Sequence, residues 1–391
     1  MKLVVVGFGQ CGGRVADEFS RLNARACSHH RIEIITGTFA VNTDIADLSS
    51  LSSIKSDYRH RILIGSRQTG SHGVGKINEL GADIARQNGD KVIDALRSTE
   101  RFYEADAFLL IASAAGGTGS GSMPIMAQTI KERFKGKSVY ALVVLPCEHE
   151  EKTDARTFRN SATCLKAVYS IADAVFLVDN QRFVEKDSSL INNMTAINKL
   201  IAEPFYDLLC AGEEKKAKYI GARLLDAGDI TQTLSGWTVP GYGVSQLPMI
   251  WLPFGRRSNF RKKNTETRNG IQAMNQALSN LSLGCNPHDS ASALYLLSAP
   301  AKEMNMDMVK ELADYLNEIA PRAIIRYGDY PRGGSKLTIT VILSQLNYVE
   351  KVKEYYANMP NLIQEKEREK EENEARLKEL ADVSKGVPSI L

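Results

Sequence analysis

Runs of apolar residues recur through the first half of the chain and alternate with glycine-rich turns or with segments of helical spacing. The apolar runs are KLVVVGF, IEIITGTFAV, RILIG, AFLLIAS, VYALVVLP and AVFLVDN. Strands that are apolar throughout and are separated by helices are typical of a parallel sheet covered by helices on both faces. The pattern therefore predicts a doubly wound α/β domain in this half.

A long helical pattern follows, from about Ser188 to Glu213, and Pro204 within it predicts a kink or a new turn. Beyond it, predicted strands at LPMIWLPF, SALYLLSAP, RAIIRYGDY and KLTITVILSQL accompany helices at NGIQAMNQALSN and MDMVKELADYLNEIA. The chain thus divides into an α/β domain at 1–187, a central helix at 188–213, a smaller C-terminal α/β domain at 214–348 and a charged helical tail at 349–391.

Composition narrows the classes of function. The 391 residues include 49 Lys and Arg and 46 Asp and Glu, which gives a net charge of +3. This small net charge argues against a dedicated nucleic-acid binder. No apolar run is long enough to span a membrane, and the N-terminus lacks the basic region and cleavage site of a signal peptide, so we expect no direct membrane insertion. Six scattered cysteines without metal-ligand spacing favour a cytoplasmic protein.

The segment AAGGTGSGSMP, residues 114–124, joins an apolar run to a helical one and holds four glycines. Glycine lets backbone N–H groups approach a ligand closely, and a helix N-terminus presents several such donors with partial positive charge. Both properties suit a phosphate. The segments GFGQCGG and NTD also follow predicted strands, and ligands of such sheets bind at the carboxyl ends of the strands.

The first of these loops also matches the G-x-G-x-x-G pattern of a dinucleotide site through Gly7, Gly9 and Gly12. That interpretation expects one glycine loop and an acidic residue at the end of the second strand, whereas this strand ends in Asn42, Thr43 and Asp44 and a second glycine loop follows. A Walker A loop is excluded because neither loop ends in Gly-Lys-Ser/Thr. We expect backbone N–H groups, two helix N-termini and a magnesium ion to hold the phosphates.

The segment GGTGSG, Gly116 to Gly121, resembles the signature loop of the tubulin and FtsZ superfamily, and GQCG is similar to its first nucleotide loop. Together with MKLVVVGFGQCGG, the segments VNTD, LDAGDI and NPHDSASALYLLSAP look most like the archaeal CetZ group, over roughly residues 1–345. The resemblance implies a Rossmann-like doubly wound GTP-binding domain, a long central helix and a smaller C-terminal GTPase-activating α/β domain.

The resemblance also implies a nucleotide site for GTP or GDP with Mg²⁺, which Gln10 would meet directly or through water. In that site Glu150 holds the ribose, Asn180 and Asn198 recognise guanine, and Met194 stacks on the base. The divergent residues 65–75 occupy the position of the loop that senses the terminal phosphate, and no contacts are predicted for them. The implied GTP-binding residues are Gln10, Cys11, Gly12, Gly13, Arg14, Asn42, Asp44, Ala115, Gly116, Gly117, Thr118, Gly119, Glu150, Asn180, Met194 and Asn198.

Two carboxylates in LDAGDI, Asp226 and Asp229, lie three residues apart and face the same way if the segment is helical. One of them could simply cap the next helix. The resemblance implies instead that both are catalytic and enter the nucleotide pocket of the next subunit, so that a head-to-tail contact completes the active site. Leu224 stands where the FtsZ pattern has asparagine, which leaves the rate of hydrolysis open.

The resulting hypothesis is a cytoplasmic GTPase that polymerises with itself into protofilaments and controls cell shape. A non-hydrolysing GTP-dependent scaffold, favoured by Leu224, and an FtsZ-like division protein are the alternatives, and a dinucleotide oxidoreductase is disfavoured by the second glycine loop. The basic segment GRRSNFRKKNTETR, residues 255–268, is interpreted as a loop. With the acidic stretch at 364–380 it indicates possible lateral contacts between filaments.

Overall fold

The computed structural model describes residues 1–183, 190–247 and 259–385. Within these ranges the strands form one sheet in the order β3-β2-β1-β4-β5-β6-β7-β10-β8-β9. The strands are β1 (Leu3–Phe8), β2 (Ile35–Asn42), β3 (Arg61–Leu63), β4 (Ala107–Ser113), β5 (Ser138–Leu145), β6 (Ala174–Asp179), β7 (Gly236–Gln246), β8 (Ser290–Ala299), β9 (Ile324–Pro331) and β10 (Lys336–Leu346).

Helices connect these strands. They are α1 (Gly9–His30), α2 (Ile45–Ser49), α3 (Ser66–Thr69), α4 (Asn78–Arg97), α5 (Thr118–Arg133), α6 (Glu148–Thr153), α7 (Ala155–Ile171), α8 (Leu190–Ala211), α9 (Ala227–Thr233), α10 (Asn259–Ser279), α11 (Met306–Ile319) and α12 (Glu350–Ser384). None of the helices in the described ranges is long and apolar enough to cross a membrane.

Strands β1 to β6 are all parallel, which confirms the predicted α/β class. Successive side chains of β1 enter two different cores, because side chains alternate across a strand. Val4 and Val6 pack into one core, and Leu3 and Val5 pack into the other. Helices therefore cover both faces of the sheet, and every residue of β1 is buried.

Strand β7 begins the second half of the sheet and was not predicted from the sequence. It contains Pro240, Gly241 and Gly243, residues that argue against a strand interior. Pro240 lies beyond the three residues of β7, Gly236 to Thr238, that pair with β6, and its carbonyl accepts the N–H of Ser282 at 2.8 Å. A Cβ on Gly243 would lie 1.9 Å from the carbonyl oxygen of Ala273, so the glycines let α10 pack closely on the strand.

Beyond β7 the sheet becomes mixed. Strand β10 pairs antiparallel with β7 over eight residues and antiparallel with β8, and β9 runs parallel to β8. The predicted strand LPMIWLPF falls mainly on residues outside the described ranges. The interpretation of residues 255–268 as a loop is wrong from Asn259 onward, where α10 begins, since no glycine or proline interrupts the helix before Gly270. Residues 255–258 lie outside the described ranges.

Helix α8 runs between the two ends of the parallel strands. Its 22 residues span about 33 Å, and it continues past Pro204. Immediately after the helix, the carboxylate of Glu213 lies 2.9 Å from the N-terminal amine of Met1, so α8 ends where β1 begins. Its first turns consequently extend toward the carboxyl ends of the parallel strands.

Candidate functional site

The two predicted glycine loops meet at the carboxyl ends of β1 and β4, which are neighbours in the sheet. Helix α1 begins directly after β1 at Gly9, whose φ of +70° favours glycine. A Cβ on Gly9 would lie 3.0 Å from the amide nitrogen of Gly119, and one on Gly119 would lie 2.9 Å from the carbonyl oxygen of Phe8. The N-termini of α1 and α5 thus present their free N–H groups at one place, as an anion site requires.

Close packing also explains further glycines of these loops. A Cβ on Gly12 would lie 2.2 Å from the carbonyl oxygen of Ile111, and one on Gly117 would lie 2.5 Å from a methyl carbon of Val74. Gly13 and Ala115 are buried as well. Around Gly116, by contrast, an added Cβ would meet no atom within 4 Å, so the loop has open space above that residue.

The loop after β2 is tied to the signature loop by a buried pair of hydroxyl groups, because Oγ1 of Thr43 lies 2.7 Å from Oγ1 of Thr118. Asn42 shapes this loop by accepting the N–H of Thr43 at 2.8 Å, and Asp44 caps α2 by accepting the N–H of Ala46 at 2.8 Å. Sequence reasoning named Asn42 and Asp44 and missed Thr43, whose contact with a residue 75 positions away leaves no local signal.

Asp47, on α2, was also missed and connects two predicted residues. Its carboxylate accepts Nε2 of Gln10 at 2.7 Å and Nδ2 of Asn42 at 3.0 Å. Oxygen atoms of these side chains therefore lie beside the start of α1, and Mg²⁺ prefers oxygen ligands. Within the part of the chain that the structure describes, no three His, Cys, Asp or Glu side chains form a protein-only metal site.

Residues 65–75, for which no contacts were predicted, lie against the loop after β2. The N–H of Gly73 donates to the carbonyl of Thr43 at 3.4 Å, and the N–H of Ile45 donates to the carbonyl of Ser71 at 3.2 Å. Four glycines of the segment, Gly65, Gly70, Gly73 and Gly75, have positive φ angles, as does Ser71. The backbone here adopts a course that few other sequences could follow.

Asn160, on α7, holds two of these loops together. It is 2% exposed, and its Nδ2 donates to the carbonyl oxygens of Lys76 at 3.0 Å, Ala115 at 3.1 Å and Gly116 at 3.3 Å. One side-chain amide thus fixes the signature loop to the end of the 65–75 segment. The sequence gives no sign of this role, because α7 otherwise has the pattern of an ordinary amphipathic helix.

Glu150 lies on the exposed side of α6, where its Oε2 accepts the N–H of Cys147 at 3.3 Å. Burial, and then the nearby Glu150 carboxylate, raise the pKa of the Cys11 thiol to about 12, whereas half-buried Arg14 opposes this shift. Glu150 therefore lies near the start of α1, as a ribose-holding carboxylate would. The Cys11 thiol stays protonated at neutral pH and is not a nucleophile.

Asn180 follows β6, and its buried Oδ1 has no hydrogen-bond partner in the described structure. Asn198 is buried on α8, and Met194, four residues earlier, is half-buried. The ring of Phe205 on α8 packs on those of Phe19 on α1 and Phe176 on β6, with centroids 5.3 Å and 5.2 Å away, so these three elements pack together. An unpartnered acceptor at this position suits the N–H donors on the edge of guanine.

Asp226 and Asp229 lie at the opposite end of the parallel strands, where β1 begins. Asp226 caps α9 by accepting the N–H of Asp229 at 2.8 Å, and Asp229 lies 3.6 Å from Arg326. A Cβ on Gly212 would lie 3.1 Å from the carbonyl oxygen of Leu225 and 3.3 Å from the amine of Met1, so this segment adjoins the start of β1. The glycine loops follow the end of β1, about 20 Å away for a strand of six residues.

The two carboxylates therefore do not join the other predicted site residues within one chain. Leu224, next to this segment, is 41% exposed. The capping function raised as the alternative for Asp226 is present, and it leaves the second oxygen of that carboxylate available.

Two family profiles together match most of the chain. Residues 2–187 match the family profile described as Tubulin/FtsZ family, GTPase domain, and residues 187–359 match that of Tubulin-like CetZ, C-terminal domain, so the likeness extends past residue 345. The chain is 30% identical to Tubulin-like protein CetZ1 of Haloferax volcanii, over 90% of each chain, and 26% identical to Tubulin-like protein CetZ of Pyrococcus abyssi, over 97% of this chain and 95% of that one.

Two solved structures from the same organism, Haloferax volcanii, are similar throughout. The GDP-bound monomer of CetZ1 has a TM-score of 0.77 at 28% identity and covers 91% of this chain and 97% of its own. The GTPγS-bound protofilament of CetZ2 has a TM-score of 0.80 at 26% identity and covers 94% of this chain and 100% of its own.

Proposed function

The chain belongs to the Tubulin/FtsZ family, in its CetZ group, and from that premise we propose that it binds GTP and GDP, hydrolyses GTP and assembles head to tail into protofilaments. Similarity to both a GDP-bound monomer and a GTPγS-bound protofilament supports a cycle between free and assembled states. The proposed place of action is the cytoplasm, and the proposed role is the control of cell shape.

The separation of Asp226 and Asp229 from the glycine loops carries the proposal for the active site. The loops follow the carboxyl ends of the strands, whereas the segment with the two carboxylates lies beside Met1, at the amino ends of the strands. A second copy stacked on the first in the same orientation would bring its carboxylates to the loops. A head-to-tail contact of this kind does not close on itself and produces a filament.

Within one subunit, we assign the phosphates to the backbone N–H groups at the starts of α1 and α5, the ribose to Glu150 and the guanine edge to Asn180 and Asn198. Gln10 would contact Mg²⁺ through water, and phosphate oxygens would supply most of its ligands. When bound, the ion would neutralise phosphate charge. Asp226 and Asp229 of the next subunit would orient the attacking water, because binding alone does not cleave GTP.

The experiment that tests this proposal is phosphate release from GTP measured over a wide range of protein concentration. A site completed between subunits gives a rate per molecule that rises with concentration, together with filaments visible by electron microscopy. A constant rate per molecule would place the whole active site in one chain. Filaments without phosphate release would establish the non-hydrolysing scaffold, which the exposed Leu224 favours.

Lateral contacts between filaments through the basic segment 255–268 and the acidic part of α12 remain a proposal. The described side chains of α12 from Glu372 to Ser384 are exposed. Charge attraction of this kind weakens as salt rises, since the Debye length is about 8 Å at physiological ionic strength. Bundles at low salt that separate into single protofilaments at high salt, with GTPase activity retained, are the expected result.

A further inference from the structure

The first turns of the C-terminal helix α12 contact α6, the short helix that carries Glu150. Nζ of Lys351 lies 3.3 Å from Oε1 and 3.4 Å from Oε2 of Glu151, and the hydroxyl of Tyr355 donates to the same carboxylate. Only 19% of the Lys351 side chain and 17% of the Glu151 side chain are exposed. The residue next to Glu150 is therefore held by two groups that lie about 200 positions later in the chain.

Apolar packing fixes the position of these two groups. The ring of Tyr355 packs on that of Phe158, on α7, with centroids 4.9 Å apart, and Val352 is buried in the same core. Exposed ion pairs contribute little because solvent screens them and their side chains are mobile. This contact is mostly buried, and its carboxylate receives two donors, so its geometry is well defined.

Lys351 also balances the charge of the surrounding carboxylates. Burial, and then the carboxylates of Glu150, Asp179 and Glu151, raise the pKa of the Cys147 thiol to about 11, with Lys351 acting in the opposite direction. Burial likewise raises the pKa of Asp179, again against the effect of Lys351. Three carboxylates thus act on one cysteine, and α12 supplies a cation that lies 3.3 Å from one of them, Glu151.

We propose that Lys351 and Tyr355 are positioning residues that hold α6 through Glu151, so that Glu150 faces the ribose hydroxyl groups of the bound nucleotide. Helix α6 has only six residues, and too few internal hydrogen bonds to set its own orientation. Its contact with α12 therefore helps to fix the position of the helix that carries Glu150. This inference rests on the proposed function, since it assumes that Glu150 binds the ribose.

The test compares the affinities of GTP and 2′,3′-dideoxy-GTP for the full chain and for the double variant Lys351→Met/Tyr355→Phe, which keeps the apolar stem and the ring. We expect the parent to prefer GTP by about tenfold, the effect of one hydrogen bond to a charged group. In the double variant this preference falls to about twofold, whereas dideoxy-GTP binds with unchanged affinity. The single variant Lys351→Arg preserves the charge, and it shows the parent's preference for GTP over dideoxy-GTP.

Lys353→Met is the matched control, because Lys353 lies on the same helix, is exposed and contacts Tyr348 instead. It leaves both affinities unchanged. A double variant that keeps the parent's preference, or that loses affinity for both nucleotides equally, overturns the positioning role. Failure of the underlying assignment is distinguishable: Glu150→Gln would then leave the preference unchanged, or the parent itself would show none, and the inference falls with it.

Discussion

The hydroxyl oxygens of Thr43 and Thr118 lie 2.7 Å apart in a buried pair that joins the loop after β2 to the signature loop after β4. Each residue is adjacent to groups assigned to the phosphates, and the 65–75 segment rests on the carbonyl of Thr43. Together with the hydrogen bonds from Asn160, this pair holds the loop after β2, the 65–75 segment and the signature loop together as one rigid unit.

Removing either hydroxyl should therefore weaken GTP binding. Thr43→Val keeps the shape of the side chain but leaves the buried hydroxyl of Thr118 without its partner, which destabilises the joined loops by about 1–3 kcal/mol. Because GTP binding must then restore the arrangement of the loops, we expect the affinity to fall by about tenfold for each 1.4 kcal/mol of that destabilisation. The double valine variant should lose less than the sum of the single variants, because the two side chains serve one contact. Titration with fluorescent GTP measures these affinities, and Thr129→Val on α5 is the control. If the losses of the two single variants added up in the double variant, Thr43 and Thr118 would not be coupled.

Base selection should depend on Asn180, whose buried Oδ1 has no partner in the described structure. Asn180→Leu should lower the affinity for GTP by about tenfold or more and leave weak ATP binding unchanged, since adenine lacks the N–H donors that this oxygen would accept. Competition binding with both nucleotides provides the measurement. The same change at Asn88 on α4, whose amide bonds within its own helix, is the control. Equal losses for GTP and ATP would rule out a base contact.

Catalysis should be rescued by mixing two inactive variants. Asp226→Asn keeps the cap of α9, because asparagine is also a good N-cap, but removes the charge. It should bind GTP normally and lose about 10²–10³-fold in turnover. Gly116→Glu should fold, since an added Cβ meets no atom within 4 Å, and should repel phosphate. One competent interface forms when the two are mixed, so phosphate release should return.

The control for this experiment is Asp314→Asn, an exposed position on α11, which should behave as the parent in every mixture. Mixtures without recovered activity at any ratio would show that each active site lies within one chain.

Glu214 joins His30 on α1 to Tyr330 on β9, a contact that we call the domain junction. The stability of this junction should depend on pH. Burial opposes the charged form, but N–H groups of Lys216 and Lys215, the Tyr330 hydroxyl and His30 hydrogen-bond the carboxylate and lower the pKa of Glu214 overall. Its contribution is then complete above the pKa of an unfolded glutamate and disappears as pH falls through the lower folded value. Glu214→Gln should reduce the free energy of unfolding by about 1–3 kcal/mol at neutral pH.

This difference between parent and variant should shrink below about pH 4, where the carboxylate becomes protonated. Urea denaturation at several pH values measures it. Glu79→Gln, which removes one partner of an exposed ion pair with Arg159, should have little effect throughout. A loss at Glu214 that is the same at every pH would mean that charge does not stabilise the junction.

Local patterns were sufficient for much of the fold and for locating the two glycine loops, which the structure brings together. Continuous apolar runs identify the parallel strands, and the glycine loops are recognisable because close packing between protein segments leaves no room for a Cβ. Strand β7 was missed because its glycines are required by α10, a helix that comes later in the chain. Thr43, Asn160 and Lys351 were missed for a related reason, since each acts on a partner distant in sequence and its own neighbours carry no sign of it.

The brief pairing of β6 with β7 determines how the molecule would respond to load. The halves of the sheet are joined there by three residue pairs, whereas β7 and β10 share eight. A filament under tension or bending transmits force through each subunit from one end to the other. Strain in the sheet would therefore concentrate at this short pairing. Helix α8 runs beside it between the two ends of the parallel strands, and it would limit how far the two halves of the sheet move apart.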